Sequence, residues 1–461
     1  MSDFIITIGL DIPVFFIISS IFLLIIKPNY ILNKLYQLYK SPFKYMFLFM
    51  LWVIIGIIIS LITGKFDMSG VIYSFVGGLF FTILIPFLIA NSAFQKIISS
   101  KKLIKLVFVV FFLIFLLGII QFLGYFFNIS IIKNFFYIIH YRTYFLSGLD
   151  SISIPMASGL PRINSTFGEP SFYGFFIIVT SPIVYFLSTS KYKLFKNIFT
   201  DRILKKMLFA LMFLNLLLTQ APIYMLFGLV LLLIVLIKHY LNYIRSNLAP
   251  ILIITGFLLL IFLGSLLVNF DKKNSTIHTD LSFVNRIVLT CETYKNFNAF
   301  VIAEPSLATR VLAYVGNITI WYKNPILGIG YGNLKKEMPK EIAKLPLPLT
   351  NELERRVLSD KQTLGITSSI FCKILAETGI VGVILFYSFL FRLLFVVKKT
   401  VNHYENIEKD FILGLKYFII LLIINTLYNS HPHWAFIWFF LGITQAMVIY
   451  ANKSLKEKIY E

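Results

Sequence analysis

The sequence predicts an all-α polytopic membrane protein: eleven transmembrane helices and a large outward-facing loop that carries amphipathic helices. Three observations predict it. The chain is 58% hydrophobic, with a mean hydropathy of +0.84, far above that of a soluble domain. Apolar runs of about 20 residues, the length that crosses a hydrocarbon core as a helix, recur from end to end. Lys and Arg also alternate between successive short connections, as they do when loops fall on opposite sides of a membrane.

Taken in order, the apolar runs place spans at 4–26, 45–63, 69–90, 104–127, 171–188, 207–219, 222–237, 248–268, 379–397, 411–427 and 435–451. The first run is too long for a cleavable signal and lacks a basic leader. It counts as one span, or as two (twelve in all) if Asp11-Ile12-Pro13 breaks it into a hairpin. About ten residues a side would be short for that. Asp11 reads as a solvated carboxylate near the outer end of span 1. Gly77-Gly78 and Gly118 suit close helix packing.

The formal charge of +21 would suit a nucleic-acid partner, but its location excludes one. The connections 27–44, 91–105, 189–206, 238–247, 398–410 and 452–461 hold 4, 4, 6, 2, 3 and 3 Lys or Arg. The opposite connections 64–68, 220–221 and 428–434 hold only Lys65. The positive-inside rule makes the first set cytoplasmic, with the N-terminus outside and the C-terminus inside. Two longer segments, 128–170 and 269–366, then face outward. The chain divides into membrane helices over 1–268, with an outer loop near 128–170; a periplasmic loop over 269–366; and membrane helices with a short cytoplasmic tail over 367–461.

Within the outer segments, residues 130–146, with Lys133, His140 and Arg142 among aromatics, suit a helix lying in the interface. The run from Arg310 has helical apolar spacing and stops at Asn324-Pro325. A turn rich in glycine follows, with Gly328, Gly330 and Gly332; without a following Lys-Ser/Thr or a βαβ context it is a poor phosphate loop. Residues 335–361, mixed in charge and interrupted by Pro346 and Pro348, are expected to be solvated surface. An amphipathic helix over 367–378, capped by Thr367 or Ser368, should feed the ninth span through Gly379. The basic stretch Lys191–Lys206 is expected to do no more than fix topology. Cys291 and Cys372 both fall on the outer side, where a disulfide is permitted. His431-Pro432-His433 supplies two imidazoles without a third ligand, which suits a polar turn better than a metal.

The candidate chemistry lies in Pro161–Gly174, PRINSTFGEPSFYG. It sets Arg162 and Glu169 in a turn-rich loop at the lip of a span. Of the nine arginines, Arg142, Arg162, Arg286, Arg310, Arg355 and Arg356 lie on the outward side, against the topological bias. A guanidinium stays charged and grips phosphate as a bidentate fork, which Lys does not. Arg162, Arg286 and Arg310 sit beside turns or helix starts rather than in charge runs, so they are the candidates for a diphosphate. Arg142 is a secondary one.

Three stretches together resemble the superfamily of bacterial O-antigen polymerases (Wzy type) and O-antigen ligases. They are RINSTFGEPSFYG before a span; Arg310 followed by Asn324-Pro325-x-Leu-Gly-x-Gly-x-Gly; and Ala376-Glu377-Thr378-Gly379-Ile380 leading into a span. One position departs from the ligase pattern: the ligase His eleven residues before the last glycine is Ser368 here. Another departs from the pattern of the family as a whole: the Ser-Arg pair between spans 6 and 7 is replaced by Thr219-Gln220-Ala221-Pro222. The resemblance, with the missing His, implies a repeat-unit polymerase of the inner membrane. Its substrates would be undecaprenyl-diphosphate-linked oligosaccharides, its surroundings membrane lipid, and a chain-length regulator protein a further partner. Within that implication Glu169 is the candidate general base, Glu377 the secondary one, and Arg162 and Arg310 join Glu169 as catalytic groups. No cofactor is implied, and no Asp-x-Asp metal clamp occurs. A ligase, or a flippase of lipid-linked glycans, is the alternative. A flippase needs polar groups deep in several spans, whereas these spans are nearly free of charge.

Overall fold

A computed structural model describes residues 42–64, 71, 100–137, 156–157, 160–161, 163–165, 167, 170–195, 197–219, 224, 305–344, 369–427 and 435–460. The described chain is almost wholly helical. Its helices are α1 (Lys44–Ile62), α2 (Ser100–Phe126), α3 (Pro170–Thr189), α4 (Ile198–Leu218), α5 (Pro305–Lys323), α6 (Leu334–Ile342), α7 (Ile370–Thr400), α8 (Asn406–Thr426) and α9 (Ala435–Tyr460). Four of these regions, Lys44–Ile62, Lys101–Phe126, Phe172–Thr189 and Ile370–His403, are long and apolar enough to cross a membrane. The expected spans at 45–63, 104–127, 171–188, 207–219, 379–397, 411–427 and 435–451 coincide with α1, α2, α3, α4, α7, α8 and α9. Those at 4–26, 69–90, 222–237 and 248–268, with Asp11 and Gly77-Gly78, lie outside the described residues. Residues 130–137 are helical, matching the described part of the expected interfacial helix.

Helix α3 is the inner helix. Within its apolar window 72% of residues are buried, against 28% for α1, whose flank of Ile54, Ile55, Ile58 and Ile62 stays exposed, as a lipid-facing side would. The crossing of α3 with α8 is close: a Cβ on Gly414 would lie 2.8 Å from Ile183 Cα. Pro182 stands inside α3 and has no N–H to offer the carbonyl of Ile178. The Ser181 hydroxyl donates to that carbonyl at 2.7 Å, so the helix continues without an orphaned acceptor. Gly118 permits a similar approach of α2 to α4, because a Cβ there would sit 1.9 Å from Asn215 Oδ1. An aromatic layer of Phe111, Phe176, Phe436 and Phe440 fills the space between α2, α3 and α9.

The lysine-bearing ends of α2, α4 and α7 share one end of the bundle. Lys105 of α2 lies 5.0 Å from the ring of Phe195 in the α3–α4 connection, and Tyr404, after α7, donates to the Met447 carbonyl of α9 at 2.6 Å. The connection between α3 and α4 does more than fix topology. Helix α4 begins at Ile198, earlier than expected, with Asn197 as its cap, accepting from Phe199 N at 2.9 Å. Asp201 and Lys205 form a buried ion pair at 2.8 Å. Asp201 Oδ1 also accepts the amides of Leu194 and Phe195 at 2.8 and 2.9 Å, and Lys205 donates to the carbonyls of Ser190 and Tyr192. The pair therefore clamps the loop onto α4.

Two further expectations are corrected. Part of the stretch expected as solvated surface is α6, whose Leu334, Met338 and Ile342 are buried with Leu312 and Ile320 of α5. Apolar residues four apart give it one buried face, while Glu337 and Glu341 pair with Lys340, Lys323 and Lys344 on the other. The cap of α7 is Ser369, whose side chain accepts from Cys372 N at 3.0 Å, not Thr367 or Ser368. A two-residue antiparallel pair, β1 (Met156–Ala157) with β2 (Leu160–Pro161), was not expected; it stands just ahead of the loop that enters the bundle. Cys372 is buried, and Cys291, with any pairing between them, lies outside the described residues.

Candidate functional site

The end of the bundle opposite Lys105 and Lys205 holds the described parts of the three sequence stretches singled out above, and two of them form one unit. Helix α7 is broken at Gly379, where φ is +66° and ψ −170°, a conformation open essentially to glycine. The break frees the carbonyls of the turn before it, and each of three consecutive ones has a partner. Ile329 N donates to Ala376 O at 3.0 Å and Gly330 N to Glu377 O at 3.0 Å. Trp52 Nε1, from α1, donates to Thr378 O at 2.8 Å. In return Ile380 N donates to Pro325 O at 2.9 Å. The contact tolerates no added atoms: a Cβ on Gly379 would lie 2.0 Å from Ile326 O, and one on Gly328 2.4 Å from the Glu377 carbonyl carbon. Gly328 and Gly379 are therefore required by the approach of two backbones.

Glu377 is 1% exposed. Its Oε1 accepts Gly332 N at 3.1 Å, immediately ahead of α6. The amide direction that would greet a bound phosphate at a helix start is thus taken by the protein's own carboxylate, which agrees with the poor match to a phosphate loop. Tyr331, beside it, is buried, and that burial, with the Glu377 carboxylate nearby, pushes its phenol well above the usual range. An open cavity of about 270 Å³ separates this unit from the end of α1, with Gly56, Ser60, Thr63, Asn324 and Ile326 among its lining residues.

The third stretch is held from within the bundle. Gln121 of α2 donates from Nε2 to Asn164 Oδ1 at 2.5 Å, and its Oε1 accepts the amides of Asn164 and Ser165 at 3.0 and 2.7 Å. Ser165 Oγ donates to Ile114 O at 2.8 Å, and Ile163 N to Leu218 O at 3.1 Å. Phe167 packs on Tyr173, Phe176 and Phe436. Below it, Tyr173 donates to Asn215 Oδ1 at 2.8 Å, and Asn215 donates to Phe115 O and Leu211 O. A polar cluster thus sits inside an apolar bundle with its amide groups paired, as low-dielectric surroundings demand.

Of the candidate residues, Glu377 is placed fully. Arg310 lies in α5, one turn before Tyr314, whose hydroxyl donates to Leu427 O at the end of α8. Arg162 and Glu169 lie outside the described residues, although Pro161, Ile163 and Pro170 beside them are described. Arg142, Arg286, Arg355, Arg356, His431 and His433 also lie outside them. Among the described residues no group of His, Cys, Asp and Glu could hold a metal ion. Sequence reasoning missed Gln121, Asn215 and Trp52. A signal existed for the first two: each is the lone amide in its apolar run, and a polar side chain inside a span commonly has a task.

Residues 207–387 match the family model described as O-antigen ligase (Wzy_C). The match includes both halves of the docked turn, Asn324–Asn333 and Ala376–Ile380, and stops short of α8 and α9. No curated protein matches the chain.

Proposed function

We propose that this chain, a membrane protein with an O-antigen ligase-family domain over residues 207–387, is a polysaccharide repeat-unit polymerase. It acts at the periplasmic face of the bacterial inner membrane, with its N-terminus outside and its C-terminus inside. A hydroxyl of one undecaprenyl-diphosphate-linked repeat unit attacks the anomeric carbon of the glycan on another. The bond from that carbon to the diphosphate oxygen breaks, and undecaprenyl diphosphate leaves with the electron pair. Arg162, Arg286 and Arg310 neutralise the diphosphate as its charge grows, in the place a metal would otherwise take. Glu169 takes the hydroxyl proton. Glu377 keeps its structural hydrogen bond and stands second as base. A chain-length regulator is the protein partner this activity calls for.

The observation that carries the reading is the docking of the 324–333 turn onto the Gly379 break, at the bundle end away from Lys105 and Lys205. Two stretches of the family pattern, 43 or more residues apart, thereby become one surface beside an open cavity. Ser368 in place of the ligase His favours a second lipid-linked unit as acceptor over lipid A–core. The test uses purified protein in detergent with defined undecaprenyl-diphosphate-linked units and EDTA. Longer chains and free undecaprenyl diphosphate are expected. Transfer only when lipid A–core is supplied would make it a ligase, and no elongation at all would sink the enzyme reading. A flippase could not produce longer chains where no two sides exist.

A further inference from the structure

We propose that Gln121 is a positioning residue: from inside the bundle it sets the backbone of the loop that carries Arg162 and Glu169. The inference rests on the proposed transferase reading for its catalytic consequence, but its structural half stands on geometry alone. Gln121 is buried in α2, within a run that has no other amide. Its three hydrogen bonds go to Asn164 and Ser165, and among the described residues none goes to another membrane helix. A buried amide that tied helices together would be expected to bond across helices; this one spends its bonding capacity on the loop.

What it holds is a conformation the loop would not favour unaided. Ser165 has φ +49°, the left-handed region that residues other than glycine rarely adopt. Strained backbone of this kind persists where its surroundings over-determine it, and it gathers at working sites. Here the surroundings are Gln121 Oε1 on the Ser165 amide and Ile114 O on its hydroxyl. Asn164 and Ser165 follow Arg162 by two and three residues, and Ser165 precedes Glu169 by four. Beyond Ser165, Phe167 is fixed by three aromatic neighbours. The pin therefore lies between the proposed cation and the proposed base and sets where the chain enters and leaves.

The test is Gln121→Met, which keeps volume and apolar character and removes all three hydrogen bonds. Two readouts are needed. Amide hydrogen exchange over 163–165 should rise about tenfold or more, since two amides lose a buried acceptor. Turnover should fall about 10- to 100-fold, the scale of a small misplacement of catalytic groups, while KM for the lipid-linked unit changes much less. Combined with Glu169→Gln, the losses should be far from multiplicative, because a residue that acts through the loop has little left to position once the base is gone. Multiplicative losses, or faster exchange with unchanged turnover, would overturn the proposal. Unchanged exchange would overturn the pin itself. If wild type elongates no lipid-linked unit while exchange still rises in Gln121→Met, the transferase reading has failed and the pin has not. Should Gln121→Met fail to accumulate, Gln121→Asn keeps an amide but shortens its reach by one methylene, which takes it away from the Asn164 and Ser165 amides, and the same outcomes apply.

Discussion

At the scale of single residues, charge and fork geometry separate the proposed roles. Arg162→Lys and Arg310→Lys keep the positive charge but lose bidentate contact. Each is expected to insert normally and to lose most polymer, read by electrophoresis of the glycan. Full-length polymer from both variants would remove diphosphate binding from these positions. Glu169→Gln keeps shape and hydrogen bonding but cannot take a proton, so elongation should slow by about 10²–10⁴ while binding of the lipid-linked unit persists. Gly379 illustrates a different constraint. At φ +66° and ψ −170°, with Ile326 O where a Cβ would go, Gly379→Ala should cost about 3 kcal/mol or more. It should also separate the 324–333 turn from α7. Thermal unfolding in detergent reads the first effect and exchange at Ile329 and Gly330 the second; a variant with wild-type values in both would refute the docking.

At the scale of elements, the α3–α4 clamp is the part with a pH dependence that can be derived. Burial pushes the Asp201 carboxyl up, but hydrogen bonds from Lys205 and from the Phe195 and Leu194 amides outweigh it and hold it below the usual aspartate range. A carboxyl depressed in the folded state contributes stability that is fully present above its unfolded value of about 3.9. That contribution is lost as pH falls through the lower folded value. Wild-type unfolding temperature should therefore drop with a steeper slope below about pH 4 than that of Asp201→Asn. At pH 7 the variant, which leaves Lys205 buried and short of its counter-ion, should be less stable by about 3 kcal/mol. Parallel pH curves for the two proteins would show that the pair contributes no such dependence. The same scale explains why α6 was misjudged. Its nine residues read as a charge run, and the Leu334, Met338 and Ile342 face acquires meaning only when α5 is known to lie beside it.

At the scale of the whole molecule, the prediction is sidedness. Lys105 of α2 and Lys205 of α4 lie at one end of the bundle, and the Gly379 unit and residues 163–165 occupy the other. A cysteine introduced at Asn351 should react with a membrane-impermeant reagent from outside the cell, and one at Lys196 should not. The reverse pattern would place the proposed site in the cytoplasm and remove its lipid-linked substrate.

The sequence by itself determined the helical class and the positions of the described apolar helices, because hydrophobic length is a local property that needs no partner. It also marked the glycine-rich turn and the Ala376–Ile380 stretch as separate features. Only the tertiary structure decided that they are one. The reason is backbone accounting: a helix broken at Gly379 leaves carbonyls that must find donors in an apolar setting, and the donors come from residues 47 positions earlier and from Trp52. The role of Gln121 was hidden for the same reason. A lone amide in an apolar run signals that a partner exists, but which loop supplies it depends on how the helices pack.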